Sequence, residues 1–400
     1  MNYIEPHDQR FRKTLITLFL GSFVTFADLY STQPVIPLIA RQFDVTPAVA
    51  SLTLSFSTGA LAFFLLVASF MSGAIERKRL MGTALSLSAL LSVLVGMTDN
   101  LGVLMVLRAF QGAVLAGFPS IAMAYINEEF TPKSLGYVIG IYVSGSSIGG
   151  LAGRLIVGTI SDFASWHTAI ICLGLISLLI SLLFWFMLPA PQNQKQQTIS
   201  AKSIIASLLK NIRSHDLLLL YGLGFLFMGS FVTVYNYVSI PLMEEPYNLS
   251  QTILSFIFLI YLVGTFSSAW MGRLADRIPR KKVMLSGILL MIGGAGLTLL
   301  NPLAVKITGL ALFTFGFFGS HSIASSWVGL LAERSEKAQA SSMYLLFYYS
   351  GSSLVGAGGG LFLHQFGWTG VIGLISVLLV ISIFISGRIE KEGTIHQIRL

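Results

Sequence analysis

Apolar residues run through this chain in stretches of about twenty, separated by short gaps that hold most of the charges. A helix needs ~20 apolar residues to cross a bilayer. Reading for such runs predicts about twelve spans. They lie near 14–36, 48–72, 80–98, 103–127, 135–160 and 167–188, then 216–240, 251–272, 283–300, 304–331, 341–363 and 368–387. One long polar segment, 189–215, carries Pro189, Pro191, a Gln-rich stretch and scattered lysines. It predicts a linker between a bundle at 1–188 and a second at 216–400. Its 204–210 part reads as a helix lying at the interface. The pattern is that of an all-α membrane protein.

Composition agrees. Hydrophobic residues make up 54% of the 400 and charged residues 10%, against roughly 25% charged in soluble domains. The net charge of +8 sits in the gaps between apolar runs, which argues against nucleic acid and for orientation signals and anionic headgroups. With the N-terminus inside, 21 of the 25 basic residues fall on the inner side and only Arg41 and Lys306 on the outer. That bias predicts both termini in the cytoplasm. Arg108 and Arg154 fall within spans. The single cysteine, Cys172, lies in an apolar run and reads as a packing residue. The first apolar run continues past Pro34 without a small-residue cleavage site, so it reads as a span and not a leader.

The two halves are copies. GSFVTFADLYS at 21–31 returns as GSFVTVYNYVS at 229–239. GFPSIA at 117–122 returns as GSHSIA at 319–324, and YVSGSS at 142–147 as YYSGSS at 348–353. The offsets of 208, 202 and 206 keep a nearly constant register. Six spans separate the copies, so they share one orientation. Parallel repeats predict two pseudo-symmetric six-helix bundles, a solute site between them near mid-membrane, and alternating access by rocking.

These features resemble the major facilitator superfamily over the whole chain. The segment Gly272-Arg-Leu-Ala-Asp-Arg-Ile-Pro-Arg-Lys-Lys282 is similar to the family's G-x-L-x-D-R-x-G-R-[KR] loop, with Pro279 at the second glycine. The resemblance gives Gly272, Asp276, Arg277 and Arg280 a gating role. The first-half loop, 72–79, is a shortened form without the Asp and the second Gly. Repeat symmetry predicts Asp276 near Ser134, at the positive N-terminal end of span five. Asp28 ahead of Pro34-x-x-Pro37 resembles the first helix of the family's drug:proton antiporters. Arg108-Ala-Phe-Gln111-Gly112 resembles its R-x-x-Q-G motif, which implies proton coupling by Arg108 and Gln111. Gly136, Gly145, Gly149, Gly150 and Gly153 resemble the antiporter motif, with Gly150 in place of Pro and Arg154 in place of the last Gly. This resemblance marks exporters. Small residues at such spacing also let helices pack closely, here expected to seal the two halves against each other.

Physical reasoning points to the same residues. Asp28 is the acidic residue placed deep in a span, and such a carboxylate is a functional candidate by default. Gly21, Thr25, Asp28 and Thr32 form one small, polar stripe suited to facing a cavity. Asn236 takes the place of Asp28 in the second half, so one side of the site can carry a proton and the other cannot. Arg108, always charged, could hold a nearby carboxylate ionised or reach to the outer interface. Tyr30, Gln33, Tyr235, His321 and Trp327 are further candidates for solute contact. His321 stands where the first half has Pro119.

The function predicted is a secondary transporter, and the leading form is proton-coupled efflux of a small lipophilic or amphiphilic compound. A metabolite or sugar carrier of narrow specificity and a lipid flippase are the alternatives. Metal-spaced His clusters, H-E-x-x-H and phosphate loops are missing from the sequence. No enzyme, metal or cofactor is therefore implied. The partners expected are a small solute, protons and the lipid bilayer of a bacterial plasma membrane. One chain holds both halves of the site, so a monomer suffices.

Overall fold

The computed structural model describes residues 3–71, 76–194, 210–333 and 336–389. The predicted interfacial helix at 204–210, apart from Lys210, lies outside the described residues, as do 72–75 of the first-half loop. So do Lys195, Lys202, Arg334, Lys391 and Arg399 of the orientation count.

Among the described residues, ten helices are long and apolar enough to cross a membrane. One of them, Gln339–Gly387, has 49 residues. At 1.5 Å per residue that is about 74 Å, more than two bilayer cores. It breaks at Gly367, whose φ of 61° suits glycine alone, so it holds two crossings. Arg280–Leu297 opens on Arg280-Lys281-Lys282 and is 18 residues long. Counting it as well gives the twelve crossings expected. Large apolar side chains point outward along them: Phe186 is 85% exposed and Phe384 70%. A soluble core would bury these, and lipid accepts them.

Two spans break where proline removes a backbone donor. Span one runs Gln9–Leu29, passes through a tight turn at Gln33–Val35, and continues as Ile36–Gln42. Its start is capped by Asp8, which accepts from the Arg10 amide at 2.8 Å. The Arg10 side chain holds the Asp8 carboxyl below its ordinary range. Span four runs Leu101–Leu115 and resumes at Gly117–Glu129, with Pro119 facing the Leu115 carbonyl one turn back.

The chain forms two compact units. The first holds 1–44, 52–200 and 250–256, and the second 45–51, 201–249 and 257–400. The repeat is visible inside each. In the first unit Gly145 of span five meets the Phe19 backbone of span one. In the second, Gly351 meets the Phe225 backbone in the same way. Gly145 and Gly351 stand in the 206-residue register of the repeat. Span five is Leu135–Phe163 and span six Trp166–Met187. Span seven is His215–Tyr237 and span ten Leu303–Leu331.

Candidate functional site

Span one ends at Leu29, which leaves carbonyls without intrahelical partners inside the membrane. Arg108 of span four answers them. Its Nη1 donates to the Asp28 carbonyl at 2.9 Å and its Nη2 to the Leu29 carbonyl at 2.5 Å. Its Nε donates to the Thr53 carbonyl at 3.0 Å. The guanidinium is fully buried, so it does not reach to the interface. It works as a charged cap on the negative end of a broken helix. Arg108 therefore acts on the nearby Asp28 carboxylate through its charge and through Gln111, as its own hydrogen bonds go to main-chain carbonyls, Ser31 and Gln111.

The Asp28 carboxylate is held by hydroxyls instead. Oδ2 accepts from Ser88 at 2.9 Å and Oδ1 from Ser177 at 2.7 Å. Gln111 joins the two groups. Its amide nitrogen donates to the Ser88 carbonyl at 3.1 Å, to Ser88 Oγ at 3.3 Å and to Ser92 Oγ at 2.6 Å. Its oxygen accepts from Arg108 Nη1. The result is a closed ring: Asp28 carboxylate, Ser88, Gln111, Arg108, and back to the Asp28 carbonyl. Gly112, next in the motif, is fixed by packing. A Cβ there would lie 2.8 Å from Ser57 Cα on span two.

The stripe on span one does not face a cavity. Gly21 packs against Phe118 and Leu85. Thr25 donates to the Gly21 carbonyl at 2.8 Å, and Thr25, Asp28 and Thr32 are all buried. Polar groups in a bilayer need internal partners, and the bundle supplies them to Thr25 and Asp28. Gly145, Gly149 and Gly153 meet the backbones of Phe19, Phe23 and Ala27. They bring span five onto span one of the same unit, so the expectation that this stripe seals the two halves is also corrected.

Arg154, within span five, is 3% exposed. Its Nε donates to Gln33 Oε1 at 2.7 Å and its Nη1 to the Gly150 carbonyl at 2.5 Å. The guanidinium carbon sits 4.2 Å from the centre of the Tyr30 ring, a cation–π distance. Two of the solute candidates, Tyr30 and Gln33, thus form a cradle around Arg154. Sequence reasoning missed this cation's role, as it missed Ser88, Ser92 and Ser177. Each is an ordinary small residue in its span.

In the second unit, Asn236 and Trp327 are fully buried and Tyr235 bonds Thr314 at 2.6 Å. His321 is half-buried, with Nδ1 2.9 Å from the Tyr344 hydroxyl and its ring 4.6 Å from that of Tyr348. In the loop after span eight Asp276 lies 3.7 Å from Arg280. Arg280 also donates to Ser326 at 3.0 Å, and Arg277 continues the turn through its amide to the Leu274 carbonyl. Gly272 has open space where a Cβ would stand. The Ser134 hydroxyl is 3.1 Å from that of Thr131.

Two broken spans, a loop signature after span eight and a repeated bundle define a membrane carrier. The chain belongs to the major facilitator superfamily, whose model matches residues 18–356 and 227–393. It is 43% identical to an uncharacterized MFS-type transporter, YybF, of Bacillus subtilis, over 98% of this chain and 97% of that one. It is 39% identical to the inner membrane transport protein YnfM of Escherichia coli K12, over 98% and 93%. A probable sugar efflux transporter of Helicobacter pylori is 23% identical over 90% and 91%. The fold matches a bacterial homolog of the human lysosomal transporter Spinster, with a TM-score of 0.79 at 14% identity, covering 96% and 98%. The chain is therefore a multi-pass membrane protein and a secondary transporter of small molecules, not an enzyme.

Proposed function

We propose that this transporter exports a small lipophilic or amphiphilic compound in exchange for protons, with Asp28 as the proton carrier. The observation that supports this is the ring around Asp28. While the carboxylate is ionised, both oxygens accept hydrogen bonds. A proton turns one oxygen into a donor, and a serine hydroxyl must then rotate. Ser88 is also an acceptor for Gln111, so its rotation disturbs Gln111 and through it Arg108. Arg108 holds the break in span one. Proton binding is thereby linked to backbone geometry at the point where a central helix can flex. The buried, doubly bonded carboxylate suits proton exchange better than contact with a cationic cargo. We take 1–188 and 216–400 as the two bundles that rock.

A sugar-exporting reading has its own support. The Helicobacter pylori relatives are named probable sugar efflux transporters. The half-buried His321 beside the Tyr348 ring is a ring-shaped, hydrogen-bonding surface of the kind a sugar uses.

Everted membrane vesicles test both. A proton gradient is set up and followed with a quenched dye while ethidium or arabinose is added. Dequenching by ethidium in the wild type, lost in Asp28→Asn, is expected. Dequenching that survives Asp28→Asn overturns the role of Asp28. Dequenching by arabinose alone selects the sugar reading.

A further inference from the structure

Each compact unit takes in one short segment that the repeat assigns to the other half. Val45–Ser51 packs in the second unit and Ser250–Phe256 in the first. These are the first turns of spans two and eight. Both follow the same bend. Asp44 and Asn248 adopt φ of 49° and 48°, which Asp and Asn tolerate. Thr46 and Ser250 then accept from the amides of Val49 and Ile253, each at 3.4 Å.

Ser250–Phe256 is held at three points. Asp162, at the end of span five, accepts from Thr252 Oγ1 at 2.7 Å and from the Thr252 amide at 3.2 Å. Gln251 donates to the Pro34 carbonyl. Gly158 lies against Ser255, where an added Cβ would be 2.6 Å from Ser255 Cβ. Val45–Ser51 has matching contacts. The Tyr237 hydroxyl is 2.8 Å from Ser51 Oγ, and a Cβ on Gly360 would be 2.6 Å from that of Ala48. Ser255 and Ser51 differ by 204 residues, within the range of the repeat offsets, so each segment is the counterpart of the other.

We propose that Asp162 is the latch of the outer gate, holding the first turn of span eight on span five until the outer side opens. The rest of span eight, from Ile257 on, belongs to the second unit. Movement of that unit must therefore pull 250–256 off span five or leave the gate shut. A hydrogen bond to a charged group is strong enough to set how often this happens. Exposure to water keeps the bond breakable.

The latch rests on the alternating-access reading, but its test needs neither cargo nor protons. A failure at Asp28 and a failure at Asp162 are therefore distinguishable. Cys172 is replaced by Ser, and Ser255→Cys, buried beneath the latch, reports opening. A membrane-impermeant maleimide is added to intact cells and to everted vesicles. Asp162→Ala is expected to speed labelling in intact cells roughly tenfold or more, the scale set by losing a hydrogen bond to a charged group. Thr252→Val, which keeps the carboxylate and removes the hydroxyl donor, should move the rate the same way. Asp162→Asn, which keeps an acceptor but loses the charge, should fall between wild type and Asp162→Ala. Unchanged rates in both Asp162→Ala and Thr252→Val overturn the latch. Faster labelling in everted vesicles alone overturns its placement on the outer side.

Discussion

At the residue scale, the site is built from groups with one permitted size or one required donor. Gly112 touches the span two backbone at Ser57. Gly112→Ala should therefore cost about 1–3 kcal/mol through overpacking, seen as a lower melting temperature in detergent. Gly136→Ala is the control, because nothing lies within 4 Å of its Cβ position. Ser177 is the second case. It is one of two serines that donate to the Asp28 carboxylate. Ser177→Ala removes a bond worth about 1.5–3 kcal/mol to the ionised form and less to the protonated one. The pH dependence of transport should therefore shift. Ser181→Ala, one turn along and bonded to its own helix at 2.8 Å, should leave it in place. An unshifted profile in Ser177→Ala would separate the serine from the proton.

At the element scale, Arg108 explains how span one can break inside a membrane. Lysine carries the same charge but is a point donor without the planar fork. It cannot serve the carbonyls of Asp28, Leu29 and Thr53 and also Gln111. Arg108→Lys is expected to cost several kcal/mol, on the order of breaking a buried charged contact. Amide exchange should rise at Tyr30–Val35 before it rises elsewhere. Exchange unchanged at that turn would count against the cap. The spans themselves were legible from sequence, because a bilayer imposes one length and one polarity on each. Asp28, Arg108 and Gln111 were legible because charge inside a span is rare. The partner serines were not. Span three carries three serines and span six two, and only tertiary packing decides which of them meets Asp28. The direction of the span one stripe failed for a related reason. A polar face reads the same whether it meets water or other helices.

At the scale of the whole molecule, the segment that follows span six is held where its sequence reads as loose chain. Glu129, at the end of span four and 2% exposed, accepts from the amides of Gln192 and Asn193 at 2.9 and 2.7 Å. Tyr125 donates to the Pro189 carbonyl at 3.2 Å. The Glu129 carbonyl accepts from the Ile4 amide at 2.7 Å, so the N-terminal segment docks there too. Beside it Arg77 and Glu128 form an ion pair at 2.6 Å. Polar composition at 189–194 reads as loose chain, yet one buried carboxylate pins it. Glu129→Gln keeps an acceptor of the same length but loses the charge that makes such bonds strong. Glu129→Ala loses both. Hydrogen exchange at Gln192 and Asn193 should rise about tenfold or more in Glu129→Ala, the factor corresponding to 1.4 kcal/mol, and by less in Glu129→Gln. Ile4 should change little in Glu129→Gln, because its partner is the main-chain carbonyl. A uniform rise across the first unit would mean that Glu129 supports the fold as a whole and does not act on 189–194 in particular.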